Sequence, residues 1–319
     1  MDIYSMAHWL VWGSSALVFR FCHAYSTDFY KTYISNGFEN HAVNAYLLLI
    51  ATACKMLTGT PLYLDARLVV FGLANTLHPY WTNRARELSP SSPYTTLVTH
   101  SDALFLMPLS SVMFGSDNRF YMLCPVFSMV LAKQLMVHRE NPYTRIAVDE
   151  ESLRDDLQQP LLEGEAAPHL HLGFSGLSLV CIVVKDVTLG SLALDGLSIV
   201  DILFVHQVCA LALALFYKYY KDRRVEIINS GPRPDYASNI VSLGLLFHHG
   251  LINYMYVASL YLAYTAIPNI GYAKLLTNLY IPIMWCARLD VDDQRCTDAQ
   301  CGACWCYVVS AVGILYFGS

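Results

Sequence analysis

Ten apolar runs, most of them close to the length of a membrane crossing, are what most constrains this chain. They occupy about 6–22, 42–59, 68–81, 98–115 and 120–137, then 172–190, 197–217, 238–264, 267–287 and 303–317. A helix needs roughly 20 apolar residues, within a range of about 17–25, to cross the hydrocarbon of a bilayer. Several runs are shorter than that. The run at 68–81 is the weakest, and it also fits a re-entrant or interfacial segment. Charge is sparse: 14% of the 319 residues are charged and 55% are hydrophobic, against about 25% charged in an average soluble domain. The expected fold class is all-α: a polytopic integral membrane helix bundle of about ten transmembrane helices in a lipid bilayer.

One polar stretch interrupts the pattern near the middle of the chain. Residues 138–171 hold eight acids against three arginines, which accounts for the whole net charge of −5. With Pro142, Pro160 and Pro168 and few aromatics, this segment reads as a disordered acidic linker. The expected organisation is a first membrane half at 1–137, the linker at 138–171, and a second membrane half at 172–319. Leu161-Leu162 lies in acidic surroundings, but Asp156 is one position too far away for the usual sorting dileucine.

Basic residues set the orientation, because cytoplasmic loops collect Lys and Arg. The loops after the odd-numbered runs hold fourteen, counting Arg20, Lys31, Arg84 and Arg86 among them, whereas the opposite loops hold only Arg67 and Arg119. This division predicts ten spans, a cytoplasmic linker, and both ends of the chain on the non-cytoplasmic side. The start carries Asp2 rather than a basic leader, so the first run reads as a retained span. The membrane is expected to be the plasma membrane or an endomembrane.

Five spans, a linker and five spans is the count of an inverted repeat. An odd number per half turns the second half upside down relative to the first, as in many secondary transporters. No residue-level similarity between the halves is visible in the sequence.

Ionisable side chains inside a span are costly, about 2.5–3.5 kcal/mol at the helix centre, and mark pairing or function. His248 and His249 lie near the middle of the eighth run, with Asn253 at i+4 from His249 and Tyr256 beyond it; helical spacing puts His249 and Asn253 on one face. Lys55 lies inside the second run. Lys274 lies in the ninth, between Pro268 and Pro282, with Asn278 at i+4. Lys55, His248, His249, Asn253 and Lys274 are the expected substrate-binding residues. The structural alternative for each is an interhelical hydrogen bond holding the bundle together, worth about 0.6–2 kcal/mol. Lys133 near a span end reads as a snorkelling lysine. Asp102 reads as a helix-start acid. Lys185 and Asp186 are adjacent, so they point to different sides of their helix.

Other chemistry is less well supported. Cys296, Cys301, Cys304 and Cys306 contain one C-x-x-C, half of a zinc site, but juxtamembrane thiols are as often plain or acylated. No metal is expected. No cofactor is expected either: His78, His100, His206 and His248 form no evident haem pattern. Ser175, in the string Gly173-Phe174-Ser175-Gly176, has histidines two spans later, but no further element of a serine–histidine site accompanies it. No basic footprint for nucleic acid is present.

The function expected is a secondary transporter or permease for a small polar or anionic solute. The alternative is a membrane-embedded enzyme on a lipid or isoprenoid, with His248, His249 and Asp201 in acid–base roles. A third is a non-catalytic membrane scaffold.

Overall fold

The computed structural model describes residues 3–29, 41–59, 61–88, 101–115, 127–128, 131–132, 170–225, 240–267, 269–284 and 298–318. Among these residues the chain is all-α, with nine helices. In chain order they are α1 (Ile3–Phe29), α2 (His41–Thr58), α3 (Ala66–Leu88), α4 (Asp102–Phe114), α5 (Leu170–Leu194), α6 (Ile199–Val225), α7 (Ile240–Tyr264), α8 (Ile270–Asn278) and α9 (Asp298–Gly318). Of the fifth apolar run only 127–128 and 131–132 are described, as helix. Lys133, His100, Pro268, Cys296 and the 138–169 part of the linker lie outside the described residues. The last two residues assigned to the linker from sequence, Leu170 and His171, open α5.

Three differences from the sequence-based expectation have identifiable physical causes. The weakest run, 68–81, is part of a continuous 23-residue helix that carries Pro79 inside it. Its polar C-terminal part is held by packing: Trp81 stacks on Phe174 of α5 at 5.4 Å, and the Thr82 hydroxyl lies 2.7 Å from that of Ser178. Arg20, counted from sequence with the loops, lies inside α1. Its guanidinium sits over the rings of Tyr256 and Tyr280, 5.4 and 5.2 Å from their centroids, and aromatic faces stabilise a cation away from water. The ninth run gives only a nine-residue helix, closed at Leu279 and followed by a short helical piece at 280–284. Asn269 caps its start, accepting from the Gly271 N–H at 2.8 Å and so satisfying one of the orphan donors of a helix N-terminus.

The most extensive helix packings are α3 with α5, α1 with α7, α3 with α6, α2 with α6, α4 with α8, α1 with α8, α4 with α5, and α2 with α7. Residues from α1, α3, α4, α5, α6, α7, α8 and α9 share one buried cluster, with Trp9, Phe71, Leu189, Tyr256, Leu260 and Leu275 among its members. Glycines lie at several of these boundaries, Gly72 and Gly250 among them. A Cβ on Gly72 of α3 would meet the Cys209 Sγ at 2.9 Å and the His206 Cα at 3.2 Å, both on α6; one on Gly250 of α7 would meet Leu47 Cδ1 of α2 at 2.5 Å.

Polarity is distributed in an unusual direction. The outer faces carry large apolar side chains such as Leu57 (87% exposed), Val112 (82%), Trp305 (69%) and Phe216 (68%). The interior buries Asp102, Asp186, Lys185, Lys274, His206 and Gln207. Among the described residues two helical stretches, Leu170–Leu194 and Ile199–Tyr219, are long and apolar enough to cross a membrane. Length and composition alone do not separate such helices from the core helices of a soluble protein.

Candidate functional site

The deepest polar cluster is built around Lys274. The Asn269 cap sets where α8 begins, and α8 then carries Lys274 into the interior, where every residue of the helix is buried. The Lys274 ammonium lies 2.8 Å from Asp186 Oδ2 on α5 and 3.5 Å from Asp102 Oδ2 on α4. It also donates to the Tyr256 hydroxyl of α7 at 3.4 Å. Asn278, one turn further along α8, donates to Asp102 Oδ1 at 3.4 Å. Lys185 stands 4.0 Å from Asp186, and Arg20 of α1 covers the other side of Tyr256. Five helices therefore meet at one set of charges, with three cations (Arg20, Lys185, Lys274) and two carboxylates (Asp102, Asp186).

Burial makes these charges matter. Unit charges 4 Å apart interact by about 4 kcal/mol at an effective dielectric near 20, while each ion costs several kcal/mol to desolvate. Asp186 is fully buried, with the Lys274 ammonium 2.8 Å from Oδ2 and the Tyr264 hydroxyl beside it.

A second cluster ties the α2–α3 connection to the α5–α6 turn. Lys55 pairs with Asp201 and donates to the Pro61 carbonyl at 3.1 Å. Arg67 pairs with Asp65 and Asp195 and donates to Ser191 Oγ at 2.6 Å. The Arg67 side-chain hydrogen bond, and then its backbone N–H, hold the Asp65 carboxyl below the usual carboxylate range. Tyr261 of α7 donates to the Leu197 carbonyl at the same turn.

A third cluster joins the C-terminal part of α1 to α7. His249 Nδ1 lies 2.8 Å from Ser26 Oγ, and its ring stacks on His23 at 4.1 Å. The Ser26 hydroxyl also lies within hydrogen-bond reach of the His23 carbonyl, at 2.9 Å.

The residues expected from sequence thus fall into different clusters. Lys274 is central. Lys55 is in the second cluster, His249 in the third, Asn253 is half-buried and His248 is exposed. The acid–base set is not brought together: Asp201 takes Lys55, and His249 takes Ser26. Ser175 is buried and donates to the His171 carbonyl of its own helix at 2.9 Å. Cys301 and Cys306 are exposed along α9 and Cys304 is partly buried. Among the described residues no three His, Cys, Asp or Glu side chains are grouped as a metal site would need.

Sequence reasoning passed over Asp102, Asp186, Lys185 and Arg20 as central residues. The signal for them was their number: opposite charges on several separate apolar runs are satisfied most cheaply by meeting one another. Two further buried links were also missed. Asn75 of α3 hydrogen-bonds His206 at 3.0 Å, and Gln207 of α6 donates to the Asn44 side chain at 2.9 Å while accepting from Tyr254.

No family model matches this chain, and no curated protein matches it. Similarity is to solved structures: 26 chains match. One is a crystal structure described only as that of a protein. It overlays with a TM-score of 0.67 at 11% identity, over 95% of this chain and 95% of that one. At that identity the likeness defines a shared all-α fold and nothing about activity.

Proposed function

We propose that this chain is a ten-span membrane protein whose two halves are inverted repeats, and that it works as a secondary transporter for a small anionic solute. The observation that carries the reading is an exchange symmetry in the packing. Swapping α1 with α5, α2 with α6, α3 with α7 and α4 with α8 turns α3–α5 into α1–α7, α3–α6 into α2–α7, and α4–α5 into α1–α8. It leaves α2–α6 and α4–α8 unchanged, so the eight most extensive packings are closed under it. Repeats related in this way place a substrate site where the halves meet, and Lys274 and Asp102 lie on the self-exchanging pair α4–α8.

The direction of polarity supports a lipid environment. Exposed apolar faces around buried, mutually paired charges suit a bilayer and would be a liability in water. The distribution of basic residues then puts the 138–171 linker, and the His249–Ser26 cluster, on the cytoplasmic side. The Arg67–Asp195 and Lys55–Asp201 pairs lie at the opposite end. Three cations against two carboxylates leave the centre with one positive charge in excess, which favours an anion. Membrane enzyme chemistry has less support, because the described His and Asp side chains proposed for it take other partners.

The test is counterflow in proteoliposomes with labelled pyruvate and labelled inorganic phosphate as probes. Exchange of at least one probe, abolished in Lys274→Met, is expected. Uptake of neither probe above empty liposomes by the wild-type protein would overturn the reading.

A further inference from the structure

We infer that Arg20 is the residue that docks the solute, through parallel hydrogen bonds from the edge of its guanidinium to a small oxyanion, a carboxylate or a phosphate. The inference rests on the transporter reading above and deepens it. Lys274 is 2.8 Å from Asp186 and 3.5 Å from Asp102, and Lys185 is 4.0 Å from Asp186. Arg20, by contrast, is in an ion pair with no carboxylate among the described residues; Asp102 reaches it only through its field. The excess positive charge of the centre therefore resides on Arg20.

The guanidinium is held in a way that leaves donors for a ligand. Its carbon lies 5.4 and 5.2 Å from the ring centroids of Tyr256 and Tyr280. An aromatic face attracts the cation as a whole and does not use the five N–H donors, which lie in the guanidinium plane. Among the described residues the Tyr280 hydroxyl is the polar group beside those donors. The donors that remain form a planar fork that matches two oxygens of a carboxylate or a phosphate. The two rings also fix the fork before a ligand arrives, which lowers the ordering cost of binding. Arg20 is partly exposed, whereas Lys185 and Lys274 are buried, so it is the one of these cations with surface open to a ligand.

The position fits a carrier. Arg20 stands on α1, which packs on α7 and α8, so it lies where the two halves meet. His23 and Ser26 follow it at i+3 and i+6 on α1. Both meet His249, about two turns before Tyr256 on α7. A solute at Arg20 thus rests between the His249–Ser26 cluster and the buried Lys274. Tyr256 links the two cations, with its ring to Arg20 and its hydroxyl to Lys274. Lys274 has a different part: it neutralises Asp186 and Asp102, which would otherwise repel an anion. Lys274→Met therefore abolishes exchange although the anion does not rest on Lys274.

The experiment measures counterflow in proteoliposomes against probe concentration, with pyruvate and inorganic phosphate as separate arms that distinguish a carboxylate from a phosphate. Wild type, Arg20→Lys and Arg84→Gln are compared. Lysine keeps the charge and loses the fork. Arg84 is the control, an exposed arginine outside the three clusters that also lies over a tyrosine ring, Tyr80 at 5.9 Å. Arg20→Lys is expected to raise KM for the transported probe about ten-fold or more, the worth of one hydrogen bond to a charged group, with the maximal rate little changed. Arg84→Gln is expected to keep the wild-type KM. An arginine that merely held α1 to α7 would lower the amount of folded carrier, and so the maximal rate, without moving KM. An unchanged KM in Arg20→Lys, or an equal rise in Arg84→Gln, would overturn the inference while leaving transport intact. If Arg20→Lys is unfolded by elution profile and thermal midpoint, or shows no measurable exchange, phenylglyoxal modification of the wild-type protein decides. The transported probe is expected to slow modification of Arg20 at least several-fold, read by peptide mass spectrometry, and to leave that of Arg84 unchanged. An Arg20 that is unmodified or unprotected would overturn the inference. Failure of both probes in wild-type counterflow would remove the transporter reading and this inference with it.

Discussion

Lys274 of α8 and Asp186 of α5 are in contact at 2.8 Å in the interior, with Asp102 of α4 3.5 Å from the same ammonium. Three buried charges therefore meet from three helices and two halves of the chain. Removing the shared cation leaves two carboxylates facing each other without it. Lys274→Met is expected to lose about 3–5 kcal/mol of stability, the range for breaking a buried pair from one side. Adding Asp186→Leu to it should recover at least half of that loss. Denaturation midpoints of the three variants in one detergent check this, and a double variant no better than Lys274→Met alone would contradict it.

Lys55 and Asp201 form the equivalent bridge on the α2–α6 boundary, 12% and 5% exposed. Lys55→Asp and Asp201→Lys each place like charges together and are expected to cost about 3–5 kcal/mol apiece. Combined, they restore opposite charges, and more than half of the summed loss should return. A double-mutant cycle on thermal midpoints measures the coupling. Simple additivity would mean that the pair does not hold α2 to α6.

Gly72 sets how closely α3 approaches α6. A Cβ there would lie 2.9 Å from the Cys209 sulfur and 3.2 Å from the His206 backbone, and backbone yields less readily than a side chain. Gly72→Ala is expected to cost about 1–3 kcal/mol through overpacking. Gly176→Ala on α5 is the control. Nothing lies within 4 Å of its added Cβ, so the better helix propensity of Ala, up to about 1 kcal/mol, should leave it neutral or stabilised. Equal effects at the two positions would contradict the close approach.

Asp65 gives a pH dependence with a definite sign. Arg67 lowers its carboxyl in the folded state, so the link contributes above the unfolded Asp value, about 3.9, and is lost as pH falls through the lowered folded value. The pair is solvent-exposed in part, so the effect is small. Wild type and Arg67→Gln should differ in thermal midpoint by an amount that is constant from pH 6 to 8 and shrinks as pH falls below about 4. A difference that grows on acidification would contradict the assignment.

The helical character of this chain was legible because apolar runs repeat throughout it. The ends of the helices were not. Trp81 marks the end of an apolar run, yet α3 continues to Leu88 because Trp81 and Thr82 find partners on α5, which no local pattern records. Lys274 stood out as an ionisable group between prolines. Its carboxylate partners did not, since Asp102 and Asp186 are distant in sequence and each has a local explanation as a cap or a span-end charge. Arg20 was hidden by its position near a run's edge; only Tyr256 and Tyr280, more than two hundred residues away, account for it. His248 and His249 looked equivalent as neighbours, but adjacent helical residues face different ways. Only His249 meets α1.

The proposed inverted repeat requires the two halves to sit in a membrane in opposite senses. The most direct measurement is sidedness of single cysteines in sealed vesicles, using a cysteine-depleted background that keeps the wild-type midpoint. Asp65→Cys and Asp195→Cys report the α2–α3 connection and the α5–α6 turn; Arg84→Cys and Tyr219→Cys report the far ends of α3 and α6. An impermeant maleimide is expected to label 65 and 195 from the non-cytoplasmic side only, and 84 and 219 from the cytoplasmic side only. Labelling of all four from one side, or recovery of the protein in the soluble fraction, would contradict it.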